Sequence, residues 1–398
     1  MPMGAIVTMT ASTTMRIERG RTGLVRAAFA AVLAAMLLVL APAGGARAEP
    51  IALTDITGRS VTLKAPAKRI LLAQGRHLNA LALLHPDPAS LVVGWAGDLK
   101  RDAATYDLYR RRNPAIDAIP VLSTGTLDSL SIEKAIALEP DLVVLSRFAD
   151  GAGGKGQGGL LARRFEAIGI PVIVIDFFQA PLKETEASLR ILGRAIGHED
   201  RALAYNAFYR ERLDRIATRL AAPGLVRPRV FVHAHAGGPT CCYSPGRGTF
   251  DGIIRAAGGH NIGADVIPGP TGELSLEYVA SARPEVYVGT GGTYQARSGG
   301  LVVGSGVEPA EARRSLEATV ARLNLQVISK LDPARIHGIW QLFNDTPLHL
   351  VMVELLAKWF HPELFADLDP AATLNEINTR YLSVPLEGAY WTSLGRPE

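Results

Sequence analysis

Two segments of the chain match each other without a gap, and this repeat is the feature that most constrains the fold. SIEKAIALEPDLVVLS at 131–146 aligns with SLEYVASARPEVYVGT at 275–290, 144 residues further along. Each copy begins with a serine, has a glutamate two residues later and ends with a proline before an apolar run, which is typical of a capped helix that leads into a strand. Other helix–proline–strand units have a similar pattern of capping and proline residues, but sixteen ungapped positions favour two related lobes over coincidence.

Apolar runs typical of buried strands alternate with helical segments along most of the chain. The first series consists of RILLA (69–73), LVVGW (91–95), DLVVLS (141–146) and PVIVIDF (171–177), and the second begins with RVFVHAH (229–235). Continuous apolar strands separated by helices predict parallel sheets that are covered on both faces. A helical stretch from about 182 to 220, with Gly193 and Gly197 as candidate breaks, separates the two series.

These patterns predict an α/β fold of two lobes with mainly parallel sheets, joined by a long helix. The predicted divisions are a signal peptide at 1–48, an N-terminal lobe at 49–181, an interlobe helix at 182–221 and a C-terminal lobe at 222–398. Because ligands bind preferentially between lobes, we expect the functional site in the cleft between them.

The first 48 residues have the order of a secretory signal peptide. Arginines precede an uncharged apolar run at 27–41, and a small-x-small sequence then places the cleavage site after Ala48. A membrane anchor is the alternative, but the fifteen apolar residues are fewer than the roughly twenty that span a bilayer. The segment holds five of the 42 basic residues and one of the 38 acidic ones. The exported chain therefore has no net charge, which argues against nucleic-acid binding.

Two cysteines and two histidines form one candidate metal site. Cys241 and Cys242 are the only cysteines, and as neighbours they either form a vicinal disulfide, bind a soft metal ion or pack as small apolar groups. His233 and His235 alternate along a predicted strand and therefore face the same side, a spacing that suits a metal ion. One alternative function is thus an exported zinc or copper metalloprotein that uses these four residues. The sequence contains no nucleophile motif of a hydrolase.

Several longer segments resemble one known family. GRSVTLKAPAKRIL (58–71), SIEKAIALEPDLVVL (131–145), GIPVIVID (169–176) and AAGGHNIGAD (256–265) are similar to recurring segments of the periplasmic substrate-binding proteins of ABC importers for iron complexes, haem and cobalamin. The resemblance extends from about Ile51 to Trp391 and implies two α/β lobes joined by one rigid helix, with modest closure on the ligand. The segments 74–84, 241–265 and 347–365 resemble the branch usually assigned to ferric-siderophore uptake.

This resemblance implies a periplasmic, monomeric protein that captures a ferric-siderophore-like iron complex in its cleft and delivers it to the transmembrane subunits of an ABC permease. Haem and cobalamin are the alternative ligands. The resemblance implies neither an enzymatic activity nor a resident cofactor. Related proteins often place additional His or Tyr residues in the region that reads HGIWQLFNDTPLH (337–349) here, so we do not expect that region to ligate iron directly.

Candidate ligand contacts lie in the loops after the predicted strands, since ligands of parallel α/β lobes approach the carboxyl ends of the strands. The candidates are Gln74, Arg76, His77, Trp95, Arg101, Arg247, Tyr294, Trp340 and Phe343. Arg76 offers a forked donor set to an anionic catecholate or carboxylate complex, and Arg247, between two glycines, resembles an anion-facing loop. We expect the two arginines to face each other across the cleft and share the ligand's charge. His77 either contacts the ligand or caps the following helix, and single aromatic residues are more often core than site.

Glu133 and Glu277 occupy the same position in the two copies of the repeat. Each comes two residues after the serine at the start of a helix, where a carboxylate interacts favourably with the helix dipole, and that role needs no partner. In the family that the chain resembles, a glutamate from each lobe meets arginines of the two permease subunits. The resemblance therefore implies that Glu133 and Glu277 dock the protein on its permease.

Overall fold

The computed structural model describes residues 49–123, 130–151, 159–238, 241–323 and 326–395. The predicted signal peptide, with its cleavage after Ala48, lies outside the described residues. Residues Pro50–Glu398 form one compact unit. Within the ranges given above, no helix is both long enough and apolar enough to cross a membrane.

Two five-stranded sheets form the centres of the fold. The first half of the chain contains β1 (Ile51–Thr54), β2 (Ser60–Leu63), β3 (Ile70–Leu72), β4 (Val92–Ala96), β5 (Val121–Ser123), β6 (Leu142–Ser146) and β7 (Val172–Ile175). The second half contains β8 (Arg229–His233), β9 (Tyr243–Pro245), β10 (His260–Asn261), β11 (Thr271–Glu273), β12 (Val286–Gly291), β13 (Gly304–Ser305), β14 (Ile336–Trp340), β15 (Gly388–Ala389) and β16 (Trp391–Ser393). The strand order is β5–β4–β3–β6–β7 in the first sheet and β10–β8–β12–β14–β16 in the second.

Parallel pairing dominates both sheets. All four pairs of the first sheet are parallel, and in the second sheet the edge strand β16 pairs antiparallel with β14. Strands β6, β7 and β14 are buried along their full length, as expected for apolar runs that are covered on both faces. The predicted α/β fold with mainly parallel sheets is confirmed.

Helices cover the faces of the two sheets. Those of the first half are α1 (Leu78–Leu84), α2 (Ala103–Arg112), α3 (Ile132–Ala137), α4 (Arg147–Asp150), α5 (Leu160–Glu166), α6 (Pro181–Ala195) and α7 (Glu199–Leu220). Those of the second half are α8 (Thr249–Ala256), α9 (Gly263–Val266), α10 (Leu276–Ala282), α11 (Pro309–Leu323), α12 (Gln326–Ser329), α13 (His349–Phe360) and α14 (Pro370–Arg380). Helix α13 is buried on nearly every side, which explains why its sequence is apolar all round rather than amphipathic.

The serines of the repeat cap equivalent helices in the two halves. The Ser131 hydroxyl accepts a hydrogen bond from the backbone N–H of Lys134 at 3.3 Å, at the start of α3. The Ser275 hydroxyl accepts one from the N–H of Tyr278 at 3.1 Å, at the start of α10. Each helix leads into the strand next to the first strand of its sheet, β6 beside β3 and β12 beside β8. The predicted helix starts are therefore confirmed.

The acidic residue of each repeat copy ties its strand to the neighbouring one. Asp141 accepts a hydrogen bond from the N–H of Arg69 at 2.9 Å, and Glu285 accepts one from the N–H of Arg229 at 3.0 Å. Each arginine in turn donates from Nε to the backbone carbonyl two residues before that acid, at 3.0 Å and 2.9 Å. The correspondence extends to atoms outside the aligned segments, which supports the prediction of two related lobes.

The connection between the two halves is helical, but it consists of two helices rather than one. Helices α6 and α7 are separated by a turn at Gly197, where φ is +79°. A positive φ of this size suits glycine, which explains why the break falls there. The helices pack antiparallel, and Asn206 of α7 donates to the backbone carbonyl of Glu186 of α6 at 2.8 Å. The lobe boundaries at 181/182 and 221/222 remain a prediction.

Candidate functional site

The loops at the carboxyl ends of the two sheets meet, and three side-chain contacts join them. Arg76 follows β3 and forms an ion pair with Asp345, which follows β14. Asp102, in the segment after β4, accepts hydrogen bonds from the Thr293 hydroxyl at 2.7 Å and from the Trp340 indole N–H at 2.9 Å. Ligands of parallel α/β folds bind at this edge of the sheet, so these contacts mark the candidate site.

Arg76 is held by two carboxylates at once. Its Nε donates to Asp98 Oδ2 at 2.8 Å, while one terminal nitrogen contacts Asp345. The backbone N–H groups of Gly75 and Arg76 donate to the same Asp98 carboxylate at 2.6 and 3.2 Å, which fixes the loop. Both carboxylates are buried, with 5% and 3% of the side chain exposed. The three side chains together carry a net negative charge.

Burial sets the protonation of this cluster. It raises the pKa of Asp345 to about 6, against the opposing attraction of Arg76. Burial also lowers the pKa of the Arg76 guanidinium, but the attraction of Asp345 and Asp98 outweighs it, so the net shift is upward. The guanidinium therefore stays charged, and the carboxylates rather than the arginine decide the net charge of the cluster.

Gln74 and His77 flank Arg76 in sequence and are both buried. The side-chain amide oxygen Oε1 of Gln74 and both ring nitrogens of His77 have no hydrogen-bond partner among the described residues. His77 lies at the start of α1 without capping it through its ring, and its imidazole packs edge-on against Phe177. Burial lowers its pKa to about 4, so the ring is neutral. Unpartnered buried polar groups cost about 1–3 kcal/mol each, and both residues remain candidate ligand contacts.

Tyr294 and His235 form the facing wall on the second sheet. Nδ1 of His235 lies 2.7 Å from the Tyr294 hydroxyl, and the backbone N–H of His235 donates to the Thr290 hydroxyl at 3.0 Å. Burial lowers the pKa of His235, and the positive charge of Arg76 lowers it further. Burial raises the pKa of Tyr294, which Arg76 partly offsets. The charge of Arg76 therefore acts on both His235 and Tyr294, and a ligand contact of Tyr294 remains a prediction.

Three of the four predicted aromatic contacts are enclosed. Trp95, Trp340 and Phe343 have no exposed surface. Trp95 packs against Tyr106, and Phe343 packs edge-on against Trp340 at 5.2 Å between ring centroids. Direct contact with a ligand remains a prediction for each. Arg101 is exposed at the end of the turn Leu99–Arg101 and also remains a candidate.

Arg247 is exposed, and its Nε donates to the backbone carbonyl of Ala264 at 3.1 Å. It borders a cavity of about 390 Å³ in the second half of the chain. The cavity is lined by Arg247, Gly248, Asp251, Arg255, His260, Asn261, Ala264 and Asp265. The hydrogen bonds and ion pairs described for Arg76 run to Asp98 and Asp345 instead. The predicted sharing of ligand charge between the two arginines remains a prediction.

The alternative metal site is not formed, and that prediction is wrong. Strand β8 ends at His233, whose ring is stacked on Phe231 and lies 3.1 Å from the Tyr287 hydroxyl. His235 lies beyond the strand with φ of +51° and turns towards Tyr294, so the two histidines do not share a face. The cysteine pair forms a vicinal disulfide. Across the described ranges, no three His, Cys, Asp or Glu side chains are placed to hold a metal ion.

The carboxylates at the site were missed at the sequence level. Asp98, Asp102 and Asp345 all follow strands, but the expectation of an anionic ligand favoured cations and aromatic residues. The sequence GDLKRD after β4 carried a usable signal, since Asp102 stands where an N-cap is expected before α2. Asp345 follows β14 in the same way. Their position after strands is therefore the signal that could have identified all three.

Comparisons with known proteins agree with this architecture. Residues 81–301 match the family described as "Periplasmic binding protein". A cobalamin-binding protein of Halobacterium salinarum is 29% identical over 285 residues, which cover 68% of this chain and 69% of that protein. The TroA-like periplasmic binding protein FepB from Veillonella parvula has a TM-score of 0.75 at 24% identity, over 86% of this chain and 99% of that one. The molybdate-binding MolA from Haemophilus influenzae has a TM-score of 0.64 at 17% identity, over 85% of this chain and 99% of that one. Structural similarity at these identities shows a shared fold.

Proposed function

The chain belongs to the periplasmic binding protein family, and from this membership we propose that it is the solute-binding component of an ABC importer. In this role it is exported, captures a ferric-siderophore-like iron complex in the cleft between its two sheets, and delivers the complex to the membrane permease. One observation carries the proposal: the carboxyl-end loops of both sheets converge on Arg76 and Asp102. A ligand bound there touches both lobes and stabilises their closed arrangement.

The polar groups of the cleft suit a ligand with both donors and acceptors. Gln74 supplies a buried side-chain amide oxygen, and His77, neutral at physiological pH, supplies one donor and one acceptor. Tyr294 and His235 are hydrogen-bonded to each other on the opposite wall. Iron chelates present such groups around a metal that is already fully ligated, so the protein needs no metal ligand of its own.

A titration of the mature chain tests the proposal. Trp340, one of the four tryptophans, donates directly to Asp102 at the site, so its contribution to the intrinsic fluorescence should change on binding there. The probes are ferric siderophores of several chemical types, haem, cyanocobalamin and free ferric ion. We expect saturable quenching by a ferric siderophore, which Gln74→Ala weakens and the control Arg219→Ala leaves unchanged, because Arg219 pairs with the exposed Asp367 elsewhere. A protein that binds none of the probes would falsify the proposal.

A corrinoid is the second candidate ligand. The curated relative from Halobacterium salinarum is named a cobalamin-binding protein, and the cluster around Arg76 carries a net negative charge, which suits an uncharged corrinoid better than an anion. Saturable binding of cyanocobalamin, with no response to the ferric probes, would replace the iron complex by a corrinoid while keeping the transport role.

We further propose that Glu133 and Glu277 dock the protein on its permease. Both side chains are exposed, and each lies in the first turn of a helix that leads into the amino end of the next strand. The first turns therefore lie towards the carboxyl ends of the two sheets, the same edge as the cleft. Two equivalent acids on one edge suit a pair of related subunits with complementary charge.

The double variant Glu133→Ala/Glu277→Ala tests this docking. We expect nearly unchanged ligand affinity and folding but loss of ligand-stimulated ATP hydrolysis by the reconstituted permease, since rim charges act mainly on association. The matched control is Glu199→Ala/Glu311→Ala, which removes two other glutamates from first turns of helices. Normal stimulation of ATP hydrolysis by the double variant would contradict the docking role. The two glutamates would then act only through their interaction with the helix dipole.

A further inference from the structure

The buried part of the cleft holds more carboxylates than cations. Asp98 and Asp345 contact the guanidinium of Arg76, and two further buried carboxylates, Asp102 and Asp176, follow strands at the same edge of the first sheet. The negative charges of Asp98 and Asp176 both raise the pKa of Asp345, so these groups are close enough to interact. Two further cations, Lys100 and Arg101, lie at the rim, where Lys100 rests over the ring of Tyr106. Charges at the rim are screened by solvent, whereas buried charges act at low dielectric.

The charge of Arg76 is already matched by carboxylates. Its guanidinium contacts Asp98 and Asp345, so an incoming anion meets a cluster whose net charge is negative, although the guanidinium has further N–H donors. The second oxygen of Asp345, Oδ1, is buried and has no partner among the described residues. That oxygen is an acceptor available to a donor group of the ligand. The arrangement thus favours ligands that donate hydrogen bonds and carry no negative charge.

We propose that Asp345, together with Asp98, sets the charge class of the ligand, so that the cleft accepts uncharged or cationic metal complexes and rejects polyanionic ones. The inference rests on the proposed function and narrows it. Three hydroxamate groups balance the charge of Fe³⁺, whereas three catecholate groups leave a net charge of −3. The ligand class assigned to the cleft is therefore the ferric hydroxamate, in place of the anionic catecholate or carboxylate complex expected from Arg76 alone.

The test compares two ferric probes on the mature chain. Ferric desferrioxamine B is a cationic hydroxamate complex, and ferric enterobactin is a catecholate complex with three negative charges. We expect the wild type to bind the hydroxamate at least about tenfold more tightly. Asp345→Asn should reduce this preference at least about tenfold, since one buried charge at roughly 8 Å in an effective dielectric of about 20 changes affinity about thirtyfold per ligand charge.

Two further variants keep the outcome interpretable. Asp345→Glu retains the charge and should retain the preference, even if it lowers the melting temperature. Asp367→Asn removes an exposed carboxylate that pairs with Arg219 and should change nothing. Tighter binding of enterobactin by the wild type, or an unchanged preference in Asp345→Asn, overturns the charge assignment and leaves the transport role intact. A wild type that binds no metal complex overturns the transport role itself.

Discussion

Asp102 is the residue whose loss should most loosen the contact between the two halves of the chain. Its carboxylate accepts hydrogen bonds from the N–H of Thr105 at 3.3 Å, from the Thr293 hydroxyl at 2.7 Å and from the Trp340 indole at 2.9 Å. The first bond caps helix α2, whereas the other two reach across to the second sheet. Asp102 is 3% exposed, so no solvent molecule replaces the lost acceptor freely.

The expected cost of Asp102→Ala follows from these three bonds. Loss of an N-cap costs about 1 kcal/mol, and each hydrogen bond to a charged acceptor contributes about 1.5–3 kcal/mol. The variant also leaves the fully buried Trp340 N–H without its acceptor. We therefore expect the free energy of unfolding to fall by about 4–7 kcal/mol. For a unit of roughly 350 residues, with an unfolding entropy of about 0.7 kcal/mol per kelvin, the melting temperature falls by about 5–10 °C.

Thermal unfolding of the mature chain, followed by calorimetry, measures this difference. The matched control is Asp369→Ala, because Asp369 caps α14 through the N–H groups of Ala371 and Ala372 and is exposed. That control should lose only the capping contribution, which lowers the melting temperature by about 1–2 °C. Equal decreases in the two variants would mean that the bonds of Asp102 to Thr293 and Trp340 add nothing to stability, and the assignment of Asp102 as the main contact would be abandoned.

Two further predictions concern pH and backbone space. His337 is stacked on Trp359, and burial lowers its pKa from 6.5 to about 3; its contribution to stability is present above pH 6.5 and is lost as the pH falls towards 3. Urea unfolding of His337→Gln between pH 6 and 4 should therefore show a slope smaller than wild type by about 1.4 kcal/mol per pH unit, and an identical slope would contradict the assignment. A Cβ on Gly75 would lie 2.4 Å from the backbone oxygen of Ala96, whereas one on Gly252 inside α8 meets open space. Gly75→Ala should thus destabilise the protein by about 1–3 kcal/mol and Gly252→Ala should stabilise it by about 0.5–1 kcal/mol, as measured by calorimetry; the same sign for both would refute the steric argument.

Local sequence patterns were sufficient to predict the fold class and the repeat. A serine cap, a proline stop and a continuous apolar strand each act within a few residues, so their signals survive without knowledge of the tertiary structure. The alignment of the two copies already places Asp141 and Glu285 at equivalent positions, which explains why they accept equivalent hydrogen bonds. The break at Gly197 was one of two candidates, because a glycine with positive φ cannot be told in advance from one inside a helix.

The alternative metal site was wrong because the sequence alone does not show where a strand ends. Alternation places His233 and His235 on one face only while the strand continues, and β8 ends at His233. The end of a strand depends on pairing with its neighbours, here β12 and β10. A period of two therefore carries no information beyond the last paired residue.

By itself, the sequence determined that this protein has two related α/β lobes and which loops end at their shared edge, because those features come from local periodicity and punctuation. The charge of the cleft was decided only by the tertiary structure. Arg76 and Asp345 are 269 residues apart, and Asp102 and Trp340 are 238 apart. Read alone, Arg76 offers a positive charge to an anion; once the fold places Asp98 and Asp345 on it, the same guanidinium is already neutralised. Buried charges interact through space and not along the chain, so only the folded arrangement decides which of them a ligand meets.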